Sequence, residues 1–314
     1  MRVILASLGA LSIATAAAAQ PFSFVAYGDT GYKLPRDNQR VEKLIDAINA
    51  ERPTFTIHVG DFKGYSSCGD AAYAAHKAMF GRHQQPLILT PGDNDWTDCE
   101  AESAGKFEPL ERLGILRKMF FGSAESLGGK TMPLARQSTA YPENASWTRD
   151  GVVFATVHVV GPHNDFVMNK ARAAEAIDRA AADEQWIKRA FETARASKAK
   201  AIVLAFQVDA WAATAPAYED GPIDWLKRTI GDEAATFEGQ VLIVHGDSHR
   251  LTIDTPYRRT DIDAGTSRGL NVTRLQVPGW PDHRAVRIDV DTSRAAIFSF
   301  AVVMSPDEQR GAQP

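Results

Sequence analysis

Residues 54–61 read Thr-Phe-Thr-Ile-His-Val-Gly-Asp, a short β-rich apolar run that stops at Gly60-Asp61. The same ending recurs on both sides of it. Ala26-Tyr27-Gly28-Asp29 closes a run that starts at Phe22, Thr90-Pro91-Gly92-Asp93 closes one from Pro86, and Val244-His245-Gly246-Asp247 closes one from Gln240. Gly-Asp occurs six times in 314 residues, where composition alone gives about two in random order. Helical patterns at Gln39–Ala50, Ala71–Phe80 and Pro109–Phe120 alternate with the first three runs, which predicts a largely parallel sheet with covered faces. Carboxylates at the C-terminal ends of such strands converge on the crevice where open α/β sheets bind ligands. Several carboxylates held together repel unless a cation or protons compensate, so the pattern points to a site for a hard or borderline metal.

Working outward, Ser146–Arg149 and Val152–Val160 flank Asp150-Gly151, a hairpin signal. Lys170–Ser197 contains no Gly or Pro and predicts a long helix, with Trp186, Ile187, Ala190 and Phe191 on its core face. A strand over Ala201–Phe206, a helix near Ile223–Ile230 and a strand over Gln240–His245 follow. The tail runs Val272–Val277, Ala285–Val290 and Ala295–Val303 are expected as antiparallel strands closing a second sheet. The segments near Gly122–Leu134 and Tyr257–Gly269 read as insertions, no internal repeat is found, and residues 20–314 read as a single domain of two packed sheets with helices outside.

Composition sets the outer limits. With 44% hydrophobic and 24% charged residues the chain has material for a large core, which excludes disorder, collagen and coiled coil. Thirty-five basic against 39 acidic side chains leave a net charge of −4, so no summed positive field draws it to a nucleic-acid polymer or to anionic lipid. Arg2, the apolar run Val3–Ile13 and Ala17-Ala18-Ala19 before Gln20 read as a signal peptide over residues 1–19, with no later segment apolar enough to span a membrane. The expected location is periplasmic or secreted. In that oxidising setting the two cysteines, Cys68 and Cys99, are expected to form a disulfide.

The order and spacing of these motifs resemble the calcineurin-like metallophosphoesterases. That family runs Asp-x-His, Gly-Asp, Gly-Asn-His-Asp/Glu, an isolated His after a strand, then Gly-His-x-His, on a four-layer α/β/β/α sandwich of two mixed sheets. Here the series reads Gly28-Asp29-Thr30-Gly31, Gly60-Asp61, Gly92-Asp93-Asn94-Asp95, Gln207 after Phe206, and Gly246-Asp247-Ser248-His249. The resemblance covers Phe22 to about Val303. Pro91–Cys99 and His245–His249 look like an exported bacterial branch of the family. Gly31, Asp93, Asn94, Gln207 and Asp247 each depart from the pattern, four of them replacing a histidine and Asp93 replacing the ligand Asn.

By correspondence, the resemblance implies two divalent ions, drawn from Mn, Mg, Ca, Fe or Zn. Asp29, Asp61 and His249 would hold one, with Asp61 bridging to a second on Asp93, Gln207 and Asp247. The second set is all oxygen, which shifts preference toward hard ions. The implied reaction is hydrolysis of a small-molecule phosphoester by a metal-activated hydroxide. Asn94 stands where the family has the histidine that assists the leaving group, and it donates a hydrogen bond without delivering a proton. His163 and Asn164, in the turn after the strand ending at Val160, are the nearest substitutes in sequence, with His163 as the candidate acid. Asn94, Asn164 and Arg250 are the candidate substrate contacts, with Lys63 and Tyr65 flanking. His58 and His158 read as core histidines, and His245 reads equally as ligand or core. The rival reading is a catalytically degenerate member of the fold that binds a metal or phosphorylated ligand; a third is a structural envelope protein that uses its carboxylates only for stability.

Overall fold

The structure, a computed structural model, describes residues 19–32, 36–64, 66–167, 169–212, 222–257, 269–306 and 308. Apart from Ala19, the expected signal peptide lies outside the described residues, as does Tyr65. The first half alternates as expected: β1 (Phe22–Tyr27), α1 (Asn38–Ala50), β2 (Thr56–His58), α2 (Asp70–Phe80), β3 (Leu87–Leu89) and α3 (Pro109–Phe120). The three strands pair in parallel. Then come β4 (Ala135–Arg136), β5 (Ala145–Arg149), β6 (Val152–Thr156), α4 (Lys170–Ala196), β7 (Ala201–Ala205), α5 (Asp224–Ala235) and β8 (Gln240–His245). The tail adds β9 (Thr252–Asp254), β10 (Val272–Gln276), β11 (Arg284–Val290) and β12 (Phe298–Met304).

Local chemistry accounts for the main punctuation. Asp150 and Gly151 both take positive φ, 44° and 80°, the geometry a two-residue hairpin turn needs. Asn169 caps α4 by accepting N–H bonds from Ala171 at 3.0 Å and Arg172 at 3.2 Å. At α3, Glu108 accepts from Glu111 N at 2.6 Å, and Pro109 opens the helix where its missing N–H costs nothing.

One sheet runs β12-β11-β1-β2-β3 and the other β4-β5-β6-β7-β8-β10-β9. Alternation along the strands builds three apolar layers. Phe24, Ala26, Ile57 and Ile88 face Phe154, Val203, Ala205, Leu242 and Leu275 between the sheets. Val25, Tyr27, Leu87 and Leu89 pack outward on Leu44, Tyr73, Leu116 and Phe120 of α1–α3. Val153, Ile202, Leu204 and Ile243 pack on Trp186, Ile187, Phe191, Leu226 and Ile230 of α4 and α5. The result is the four-layer α/β/β/α sandwich with two mixed sheets.

Two expectations are corrected. The tail strands do not close one sheet together: β10 lies parallel to β8 in the second sheet, whereas β11 and β12 are antiparallel additions beside β1 in the first. Apolar runs of this length carry no label for the sheet they join. The strand expected to reach Val160 ends at Thr156, because Val159 N turns back to Val157 O at 3.0 Å.

Cys68 and Cys99 form the expected disulfide, with Cα atoms 5.7 Å apart, tying the loops that follow β2 and β3. Reduction is expected to remove about 3–4 kcal/mol from stability through a 31-residue separation, read as a drop in urea midpoint with dithiothreitol.

His58, His76, His83 and His158 are buried and held neutral by loss of solvent, the last three with pKa values lowered to about 4. A base whose folded pKa is depressed takes up its proton on unfolding, so its contribution, present above the unfolded value near 6.5, is lost as pH falls toward 4. His83, hydrogen-bonded to Tyr27 Oη at 2.8 Å, tests this. His83→Gln should make the loss of stability between pH 7 and 5 shallower by about one proton, measured by urea titration against the parent.

Candidate functional site

The C-terminal ends of β1, β2 and β3 meet those of β7 and β8 across the two sheets. Gly-Asp is needed there for a steric reason. A Cβ on Gly92 would fall 2.0 Å from Asp61 Oδ1, and one on Gly246 would fall 1.9 Å from Asp29 Oδ2. Each glycine therefore leaves room for a carboxylate from another motif. Asp29, Asp61, Asp247 and His249 themselves take φ of 49°, 53°, 77° and 60°, a left-handed conformation that costs energy in non-glycine residues and clusters at functional sites.

The six residues expected as ligands come together. Gln207 Nε2 donates to Asp93 Oδ1 at 2.7 Å and to Asp61 Oδ2 at 3.4 Å. Asp247 N donates to Asp29 Oδ1 at 3.0 Å, and His249 Nε2 lies 3.7 Å from the same oxygen. Asn94 joins them, its Nδ2 donating to Asp61 Oδ2 at 2.8 Å and its backbone N to Asp61 Oδ1 at 3.1 Å.

The other candidates do not join this cluster. Asn164 is buried, its Oδ1 accepting from Val160 N at 3.2 Å and from the Arg179 guanidinium, which makes it a packing residue. His163 is half-buried in the same turn, and its side chain makes no hydrogen bond among the described residues. Arg250 is exposed on the loop after His249. Lys63 is buried, with Nζ donating to Gly64 O at 3.0 Å and Ser66 O at 3.3 Å, so it is no exposed phosphate contact. His245 faces the core against the Phe206 ring, and His58 and His158 are core residues as well.

Three contributors were missed. Tyr32 Oη donates to Asp61 Oδ2 at 2.8 Å and lies 3.0 Å from His249 Nε2, its ring stacked on Trp280. Asp95, fully buried, accepts N–H bonds from Gly92 at 2.8 Å, Asp61 at 3.0 Å and Phe62 at 3.0 Å, pinning the ends of β2 and β3 to each other. Asp209 N donates to Asp247 Oδ2 at 2.8 Å, while its own carboxylate accepts from Ser248 Oγ at 2.7 Å. Asp95 was in view within the Gly92–Asp95 run, but spacing alone does not separate a ligand from a backbone clamp.

Burial and mutual repulsion push these acids up. Asp29 and Asp93 are held well above the carboxylate range, first by desolvation and then by Asp61, and Asp61 is raised to about 7, chiefly by desolvation. Asp247 moves in the same direction for the same first cause. Asp209 has Arg274 beside it at 3.5 Å, whereas Asp29, Asp61, Asp93 and Asp247 form no ion pair with Lys or Arg among the described residues.

The donor chemistry fits one divalent ion. His249 Nδ1–H donates to Trp280 O at 2.7 Å, which leaves the lone pair on Nε2, facing the Tyr32 hydroxyl at 3.0 Å; a second-nitrogen bond of this kind is what orients a ligating histidine. Asp29 Oδ2 is buried with no hydrogen-bond partner. Among the described residues, no three His, Cys, Asp or Glu side chains yet surround a common point at ligating distance, and the Tyr32 hydroxyl stands between Asp61 and His249.

Comparison with known proteins agrees with the fold. A dimetal phosphatase from Danio rerio superposes on 91% of this chain and 100% of its own, with 8% identity and a TM-score of 0.53. A 5′-nucleotidase from Candida albicans SC5314 matches 93% of this chain at 10% identity and a TM-score of 0.48, and a putative 5′-nucleotidase from Staphylococcus aureus 93% at 13% and 0.48. This chain spans 53% and 57% of those two nucleotidases. No protein-family model and no curated protein sequence matches it. The metallophosphoesterase-like fold is shared with the Danio rerio phosphatase, and identity this low carries the fold alone.

Tyr32→Phe removes the hydroxyl that competes for Asp61 Oδ2. The rise in melting temperature on adding Mn²⁺ should be larger in the variant than in the parent; a smaller rise would place the phenol among the groups that hold the ion.

Proposed function

We propose that the chain is a divalent-cation-dependent phosphoester hydrolase of the bacterial cell envelope. The observation that carries this is the set of four strand-end carboxylates, Asp29 and Asp61 buried and Asp93 and Asp247 half-buried, that form no ion pair with Lys or Arg among the described residues and gather round His249, whose Nε2 faces the Asp29 carboxylate and the Tyr32 hydroxyl. Such a set calls for a cation or for protons to offset its repulsion, and a cation is the compensation taken here. Asp29, Asp61 and His249 would hold the ion. When bound, it supplies the positive charge that attracts a phosphate group and an activated water to attack it.

The chain's own residues do the remaining work. Asp95 fixes the ends of β2 and β3, which holds Asp61 and Asn94 in register. Asn94 Nδ2 donates to Asp61 Oδ2 at 2.8 Å and to Tyr32 Oη at 3.3 Å; exchanging the second, longer bond for a departing oxygen would orient that oxygen without protonating it. Arg250, exposed on the rim, is the proposed contact for the phosphate oxygens. The disulfide supports placement in an oxidising compartment, and among the described residues no helix is long and apolar enough to cross a membrane.

A second reading, a non-hydrolytic binding protein, is favoured by a specific observation: protein donors from Tyr32, Asn94 and Gln207 already satisfy Asp61 and Asp93. A panel of aryl and alkyl phosphate mono- and diesters with added Mn²⁺, Mg²⁺ or Ca²⁺ separates the two. Hydrolysis is expected with aryl esters turned over faster than alkyl ones by roughly 10²- to 10⁴-fold, since general acid assistance is missing. Asn94→His should narrow that gap. Cation binding without turnover of any ester would establish the second reading.

A further inference from the structure

We propose that this centre accepts one divalent ion and not two, and that Gln207 sets the number; the inference rests on the cation-binding reading above. Gln207 is fully buried, and its carboxamide has only one workable orientation. Gly161 N donates to Oε1 at 2.7 Å, so Nε2 must face Asp93 and Asp61. An amide nitrogen has no free lone pair for a metal, and its two hydrogens point where a ligand atom would be needed. Turning the amide over would set its N–H₂ against Gly161 N–H and leave a buried donor without an acceptor.

The two acids of that half are each engaged at one oxygen. Asp93 Oδ1 accepts from Gln207, and Asp247 Oδ2 accepts from Asp209 N at 2.8 Å. Asp209 is itself fastened by Ser248 Oγ at 2.7 Å and Gln276 Nε2 at 3.2 Å, so this donor is not free to withdraw. The other half differs. Asp29 Oδ2 has no hydrogen-bond partner among the described residues, and the His249 Nε2 lone pair faces only the Tyr32 hydroxyl, 3.0 Å away, whose hydrogen goes to Asp61. Gln207 thus turns an N–H₂ group rather than a lone pair toward the Asp93–Asp247 side, whereas the Asp29–Asp61–His249 side, although Asp61 accepts from Tyr32 and Asn94, holds the unpartnered Asp29 oxygen and the imidazole lone pair that an ion would take.

The full chain, stripped with chelator and dialysed against MnCl₂, tests this by equilibrium dialysis with elemental analysis and by electron paramagnetic resonance. The parent should bind one Mn²⁺ per chain with the hyperfine pattern of an isolated ion. Gln207→Glu is nearly isosteric, keeps an oxygen for Gly161 N–H and turns the other toward Asp93; it should bind two, with a spin-coupled spectrum. Gln207→His, which offers a ring nitrogen, is the second variant should the added carboxylate impair folding. Two ions in the parent, or one ion in folded forms of both variants, would overturn the proposal. No ion in the parent would overturn both it and the cation-binding reading, so the two failures are distinguishable.

Discussion

The constraint on which the strand ends depend is the contact of a carboxylate with a glycine of a different motif. Asp61 occupies the space a Gly92 side chain would need, and Asp29 occupies that of Gly246. The first contact closes two strands within one sheet; the second closes one sheet on the other. Asp95 then locks the first contact by taking three backbone N–H groups that would otherwise be buried without acceptors. The acidic side chains are thereby forced into a small volume away from water, and desolvation first, with their mutual repulsion added, raises their pKa values. Packing that brings like charges together is unfavourable in isolation, and its persistence here is the physical reason to look for a cation.

The phosphatase fold and this centre are separate matters. The sandwich superposes on a dimetal phosphatase along nearly its whole length, yet the polar atoms at the strand ends are arranged as hydrogen-bond partners as much as ligands. Gln207 and Asn94 are neutral amides at positions where the resemblance leads one to expect imidazoles. An imidazole presents a lone pair to a metal or a proton to a leaving group; an amide N–H₂ does neither. Exchanging one for the other preserves shape and buried hydrogen bonding while changing which charged species the pocket tolerates.

Much of this was legible in the chain itself. The alternation of β-rich and helical runs located β1 through α3 to within about two residues, and the excess of Gly-Asp found four of the residues now seen together. What remained hidden has a common cause. Whether Val272–Gln276 joins one sheet and Arg284–Val290 the other depends on long-range pairing that an apolar run does not encode. Tyr32 and Asp209 act through contacts more than two hundred and nearly forty residues away in sequence. Asn164, read as facing the site, is turned inward by Arg179 from α4, a partner fifteen residues on.

Because Asp29, Asp61 and Asp93 come from one sheet and Gln207, Asp247 and His249 from the other, the centre does not exist in either half alone. Any occupant that touches both sets acts as a rivet between the sheets. Its site is complete only when the two sheets are docked. Binding there favours the docked state over the separated one, so an occupant would add to the free energy that holds the two sheets together.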